Sequence, residues 1–209
     1  MTSTLDEAPA CVAVGLRLLP APDPVDLPAA SLAVRDLLVA LGQDVGSVHL
    51  AETPRRVAAA LAEMLQPEPF RITTFPNEDG YDGLVMVRDI TFTSLCAHHL
   101  LPFQGVAHVG YLPGQRLVGL SKLARVVEMF SRRLQVQEAL TQQIAGWLHE
   151  HLSPRGVGVV LEAEHQCMSV RGIRAAGAST VTSALLGLVR DHRPTREEFL
   201  SLTRGARSS

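Results

Sequence analysis

Two short stretches constrain this chain more than anything else in it: Cys96-Ala97-His98-His99 and, about seventy residues later, His165-Gln166-Cys167. Thiolate sulfur and imidazole nitrogen are the ligands of a borderline-soft ion such as zinc. A Cys-x-x-His turn with one distant Cys fills three of its tetrahedral positions. If Cys96, His99 and Cys167 hold one ion, two segments far apart in sequence must end within a few ångströms of each other. Any admissible fold has to bring them there. No fourth Cys or His stands at comparable spacing. Three protein ligands with one position left to water is the catalytic pattern, whereas structural zinc sites close all four. His98 and His165, one and two residues from the expected ligands, put proton-transfer groups beside that position.

The bulk composition narrows the class. A chain of 209 residues, 46% hydrophobic and 19% charged, is that of an ordinary globular protein with room for a full core. A formal net charge of -2 gives no electrostatic footprint for nucleic acid. Three cysteines, two of them beside histidines, do not make a disulfide framework and fit a reducing cytoplasm. The apolar run from Cys11 to Leu19 is short, interrupted by Arg17 and preceded by Asp6 and Glu7. It is neither a signal peptide nor a membrane span.

Residues 1–28, with Pro20-Ala21-Pro22-Asp23-Pro24, read as a flexible Ala/Pro-rich leader in which Cys11 is a free thiol. Residues 29–83 read as a helical region. Leu32, Val34, Leu37, Leu38 and Leu41 keep helical spacing from Ser31 to Leu41, with Gly42 as the stop. Thr53-Pro54 then reads as an N-cap and first-turn proline before Val57, Leu61, Met64 and Leu65. Residues 84–209 read as the catalytic domain. Leu84, Met86, Ile90 and Phe92 alternate with Val85, Val87 and Thr91 in a strand that runs into Cys96. Gly105 to Tyr111 forms a second strand, antiparallel because the connection is too short for a parallel crossover. Ser121 to Leu152 is helical, with a break expected near Gln135-Val136. Val157, Val159, Leu161 and Ala163 alternate into His165 and Cys167. A continued strand would put those two and Arg171 on one face. A strand-like run over Ser179 to Val189, of which Ala184 to Val189 reads equally as helix, and a short helix over Arg196 to Leu202 complete an α+β order.

Four motifs, in order, carry a resemblance. They are Ser94-Leu95-Cys96-Ala97-His98-His99-Leu100-Leu101-Pro102-Phe103, Gly119-Leu120-Ser121-Lys122-Leu123-Ala124-Arg125, Arg132-Arg133-Leu134-Gln135-Val136-Gln137-Glu138 and His165-Gln166-Cys167-Met168-Ser169-Val170-Arg171-Gly172. Together they closely resemble GTP cyclohydrolase I, from about Thr53 to the terminal Arg196-Glu197-Glu198-Phe199-Leu200. The resemblance implies a tunnelling fold: a four-stranded antiparallel sheet with two long helices, closed into barrels by subunit association. It also implies a toroidal homodecamer with active sites at subunit interfaces. The implied reaction opens the guanine ring of GTP at C8, releases formate and rearranges the ribose to give 7,8-dihydroneopterin triphosphate, the first step of tetrahydrofolate biosynthesis.

By the same resemblance Cys96, His99 and Cys167 match the zinc ligands, and His98 and His165 the proton-transfer groups. Gln137 and Glu138 match the guanine reader, since a carboxylate accepts from both N1–H and the exocyclic amine. Lys122, Arg125 and Arg171, with Arg56, match the triphosphate clamp, and Ser121 the group assisting the ribose rearrangement. The remaining histidines, His49, His108, His149, His151 and His192, read as structural, and Trp147 as core or subunit packing.

One departure stands out. The family motif reads Cys-Glu-His-His, and this chain has Ala97 where the glutamate stands. That departure keeps open a catalytically altered or silent zinc-binding paralogue. Because a pathway is not written in an active site, the same reaction serving a deazapurine pathway also stays open.

Overall fold

The computed structural model of the chain describes residues 24–204. Cys11 and most of the expected leader lie outside the described residues. Along the chain come α1 (Leu27–Ala40), α2 (Thr53–Leu65), β1 (Thr74–Pro76), β2 (Val85–Cys96), β3 (Pro102–Leu112), β4 (Arg116–Val118) and α3 (Leu120–Ser131). Then follow β5 (Leu134–Gln135), α4 (Gln137–Leu152), β6 (Gly156–His165), the single turn α5 (Gln166–Ser169), β7 (Ser179–Gly187), the turn α6 (Leu188–Asp191) and α7 (Arg193–Thr203). The architecture is α+β, as expected.

α1 begins at Leu27, earlier than the Ser31 start the spacing suggested. Pro28 sits in its first turn, where a missing N–H costs no helical bond, and the Asp26 carboxylate accepts from Ala29 N–H at 2.9 Å. The helix closes as Gly42 predicted. Gln43 N–H reaches Leu38 O and Gly42 N–H reaches Val39 O, with Gly42 at φ +76°. At α2 the cap position belongs to Glu52, not Thr53. The Glu52 carboxylate does not cap the helix and pairs instead with Arg55 at 2.8 Å. Between α2 and β2 the expected helical region holds β1, which pairs antiparallel with β4.

The main sheet runs β5-β2-β3-β6-β7. Its four long strands are antiparallel neighbours, and β5 adds a two-residue parallel edge against Leu95 and Cys96. β5 fills the helical break expected near Gln135-Val136. α3 buries Leu123, Val126, Val127 and Phe130, and α4 buries Leu140, Ile144, Leu148 and Leu152. Both stripes keep the i, i+3, i+4 period and cover one face of the sheet. Phe103, Ala107, Val109 and Tyr111 of β3 meet them there with Val157, Val159, Leu161 and Ala163 of β6.

β2 does not keep the strict alternation its sequence suggested. Val87 pairs with Val109 but Ile90 with Ala107, so Arg88 and Asp89 together oppose His108. Asp89 takes φ +55° in this bulge, and its N–H donates to His108 Nδ1 at 3.3 Å. The extra residue reverses the parity of everything after it. Val85 and Val87 share the helix-covered core with Ile90, Phe92 and Cys96, while Leu84 and Met86 pack on the opposite face. Without the bulge Cys96 would point away from that core.

The opposite face is covered at its far end by α6 and α7. Phe199 is fully buried there with Val189, Leu112 and Val160. Gly110 and Gly158 make room for its ring: a Cβ on Gly158 would lie 2.6 Å from the Phe199 ring carbons. Among the described residues, no helix is long and apolar enough to cross a membrane.

Candidate active site

The loop between β2 and β3 is a single tight turn. Cys96 O accepts from both His99 N–H (3.3 Å) and Leu100 N–H (2.9 Å), and Cys96 N–H donates to Leu101 O at 2.9 Å. Leu100 takes φ +55°, the left-handed conformation that reverses the chain into β3. Ala97 N–H is tied to Gln135 O of β5 at 3.0 Å. One turn separates a Cys from a His three residues on, so the two side chains share a side. Cys96 Sγ lies 3.8 Å from His99 Nδ1.

Cys167 arrives by a different route from the one its spacing suggested. β6 stops at His165, and Gln166–Ser169 forms a helical turn, with Val170 N–H on Gln166 O at 3.0 Å. His165 and Cys167 are therefore not alternate residues of one strand face. The turn swings the Cys167 thiol toward the β2–β3 loop, and the ligand atoms of Cys96, His99 and Cys167 all lie within 4.8 Å of one another. Tetrahedral zinc with bonds of about 2.0–2.3 Å separates its ligands by about 3.5–3.8 Å, so this set needs little adjustment to hold an ion. Burial pushes the Cys167 thiol up from its usual range, and the Cys96 thiol beside it adds to the effect. Two cysteine sulfurs and an imidazole brought this close together are a donor set that fits a metal ion, which displaces thiol protons on binding.

His165 stands beside this group. Its ring stacks on Phe103, its cross-strand neighbour, with centroids 4.5 Å apart and planes 2° from parallel. Its Nε2 lies 2.7 Å from Gln137 Oε1. Burial holds its pKa below the usual histidine range, and the nearby Glu138 charge opposes that shift. Glu138 is exposed on the first turn of α4. His98 is exposed, edge-on to His99 at 6.2 Å between ring centroids. Arg171 follows α5 and is exposed, and its charge acts on Cys167. Eight of the twelve residues singled out from sequence thus gather at one end of the sheet.

The other four do not join them. Ser121 and Lys122 stand on the first turn of α3 and Arg125 on its second. α3 ends beside the Cys96 end of the sheet, where Ser94 Oγ donates to Arg133 O at 3.1 Å. Ser121 is ten helical residues short of that end, about 15 Å. Ser121 and Arg125 line an open groove of about 890 Å³ between α3 and β2 that includes none of the Cys96, His99, His165 or Cys167 side chains. Arg125 is paired there with Glu128 at 3.3 Å and Glu68 at 3.4 Å. Arg56 is exposed on the first turn of α2.

The sequence reading missed Phe103, Thr141 and Thr182, which support His165 and Gln137. Thr141 stands four residues from Gln137 on one helix face and was findable from spacing. Thr182 is reached only through β7.

Residues 30–204 match the family described as GTP cyclohydrolase I. The chain belongs to the GTP cyclohydrolase I family. It is similar to GTP cyclohydrolase 1 of Thermobifida fusca (strain YX), 50% identical over 192 residues, covering 90% of this chain and 93% of that one. GTP cyclohydrolase 1 of Synechococcus sp. (strain JA-2-3B'a(2-13)) is 51% identical over 181 residues, 85% of this chain and 79% of that one. For GTP cyclohydrolase 1 of Aquifex aeolicus (strain VF5) the figures are 50% over 173 residues, 83% and 94%. Membership of the GTP cyclohydrolase I family thus spans both the Cys-His-Cys group and the distant α3 cations.

Proposed function

We propose that this chain is a zinc-dependent GTP cyclohydrolase: it opens the guanine of GTP at C8, releases formate and forms 7,8-dihydroneopterin triphosphate. The observation that carries the reading is the Cys96–His99–Cys167 group, drawn within 4.8 Å beside His165 in a chain of this family. In this reading Cys96, His99 and Cys167 hold Zn2+, whose Lewis acidity activates water. His165 and His98 move protons at the purine nitrogens, because attack at C8 needs N7 protonated and ring opening needs a proton on the departing nitrogen. The Glu138 carboxylate accepts from guanine N1–H and the exocyclic amine, a pair adenine does not offer. Lys122, Arg125, Arg171 and Arg56 offset the triphosphate charge, and Ser121 assists the ribose rearrangement.

Ser121 and Lys122 lie about 14–15 Å, and Arg125 about 9 Å, along α3 from the end that adjoins Cys96, and the groove that Ser121 and Arg125 line excludes the Cys96, His99, His165 and Cys167 side chains. The reading therefore includes a homo-oligomer, a toroidal decamer, in which α3 of one copy faces the Cys96 loop of another. Its setting is the cytoplasm, in tetrahydrofolate biosynthesis. The test is to incubate the zinc-loaded protein with GTP and follow dihydroneopterin triphosphate by absorbance. Product that disappears on chelation and in His165→Ala supports the reading; zinc-loaded, assembled protein that forms none sinks it and brings forward a silent paralogue.

Ala97 is exposed at the head of the turn, with space for a longer side chain. A carboxylate there would act on the neighbouring ligands, and such outer partners are worth about 10–100-fold in metal affinity or activity. Ala97→Glu is expected to raise zinc retention against a chelator or turnover by a factor in the lower part of that range. Equal zinc retention and equal turnover in the two proteins would show that this site works without the carboxylate.

A further inference from the structure

Gln137 is almost wholly buried, and its carboxamide is wired into the protein on both sides. Its Nε2 lies 2.9 Å from Thr180 O, 3.1 Å from Thr182 Oγ1 and 3.3 Å from Leu161 O. Two of these partners are backbone carbonyls, which only accept, so this end of the amide must be the NH2 group. The hydroxyls complete a consistent direction of donation. Thr141 O–H donates to Gln137 O at 2.7 Å, which leaves Thr182 O–H to donate to Thr141 Oγ1, also at 2.7 Å. Thr182 Oγ1 is then free to accept from Gln137 Nε2–H. The amide cannot turn over without setting its oxygen against two carbonyls in a buried place.

With that orientation set, Gln137 Oε1 faces His165 Nε2 at 2.7 Å as an acceptor. A carbonyl oxygen at that distance demands a proton on Nε2. The Phe103 ring, parallel to the imidazole at 4.5 Å, holds the ring plane. We infer that Gln137 is a positioning residue: it holds His165 as the Nε2–H tautomer and leaves Nδ1 as the nitrogen that exchanges protons with the substrate. Gln137 does not read guanine with its side chain, because both amide N–H groups are already committed to β6 and β7. That part of base recognition falls to Glu138. The inference rests on the functional reading for its substrate, but the tautomer is a property of the protein alone.

The experiment uses zinc-loaded full-length protein carrying 15N-labelled histidine, with the His165 ring signals assigned by their loss in His165→Asn. Wild-type protein is expected to show His165 protonated at Nε2, and Gln137→Met to show a mixture of tautomers. With GTP, Gln137→Met is expected to lower kcat about 10–100-fold at unchanged zinc content, the range for a residue acting through another group, with KM within about threefold. A wild-type His165 protonated at Nδ1 overturns the inference without any variant. So does a Gln137→Met protein whose His165 tautomer is unchanged, or one in which KM rises while kcat holds, the result of direct guanine contact. Absence of GTP turnover in wild type would defeat the functional reading and leave the tautomer measurement to judge this one.

Discussion

Cys167→Ala is expected to abolish metal retention and turnover together while leaving the sheet intact. The thiol is one of the three candidate ligands grouped among the described residues, and it reaches the other two through a four-residue turn rather than through the core. Loss of an outer partner alone costs about 10–100-fold in metal affinity, so loss of a ligand should exceed that range. The checks are metal content after gel filtration, dihydroneopterin triphosphate formation, and far-ultraviolet circular dichroism. Cys167→Ala protein that keeps stoichiometric zinc would remove Cys167 from the ligand set. Protein that loses its circular dichroism as well would mean that the group holds the fold together rather than serving catalysis.

The second large effect concerns the other end of the sheet. Phe199→Ala is expected to destabilise the protein by about 3–5 kcal/mol, the cost of emptying a buried aromatic site. Phe199 has no exposed surface and seats its ring against Gly158, where a Cβ would come within 2.6 Å of it. Gly158→Ala alone is expected to cost about 1–3 kcal/mol by overpacking. The two changes touch the same space, so they should not add: in the double variant the new methyl occupies part of the volume the ring left. Urea unfolding of all four proteins at one protein concentration measures this. Strict additivity would mean that Phe199 and Gly158 do not share that space.

Much of the candidate site was legible in the sequence because its chemistry is local. Cys-x-x-His puts two ligands on one turn, and a turn is set by a few neighbouring residues. Glu138 and Gln137 were legible only as members of a motif, and the motif did not separate them. Adjacent helical residues face about 100° apart, so one reaches solvent and the other the interior. What Gln137 meets inside depends on β6 and β7, more than twenty and forty residues later. Burial is a property of the packed chain, and no local pattern states it.

The division is the same for the fold as a whole. Amphipathic period, turn chemistry and the cysteine–histidine spacing pointed by themselves to helices over α3 and α4, antiparallel strands at β2 and β3, and a group joining residues 96–99 to 167 that could hold a metal. The tertiary structure alone decided three things. The bulge at Arg88-Asp89 turns Cys96 onto the core face, and it exists only because β3 offers one residue there for two. The strand expected to run through Cys167 stops at His165 for a helical turn, which brings the thiol to the β2–β3 loop. The cations on α3 stand away from the group their motif associates them with. In each case the deciding contact joins residues far apart along the chain, and periodicity, which sees only near neighbours, does not carry that information.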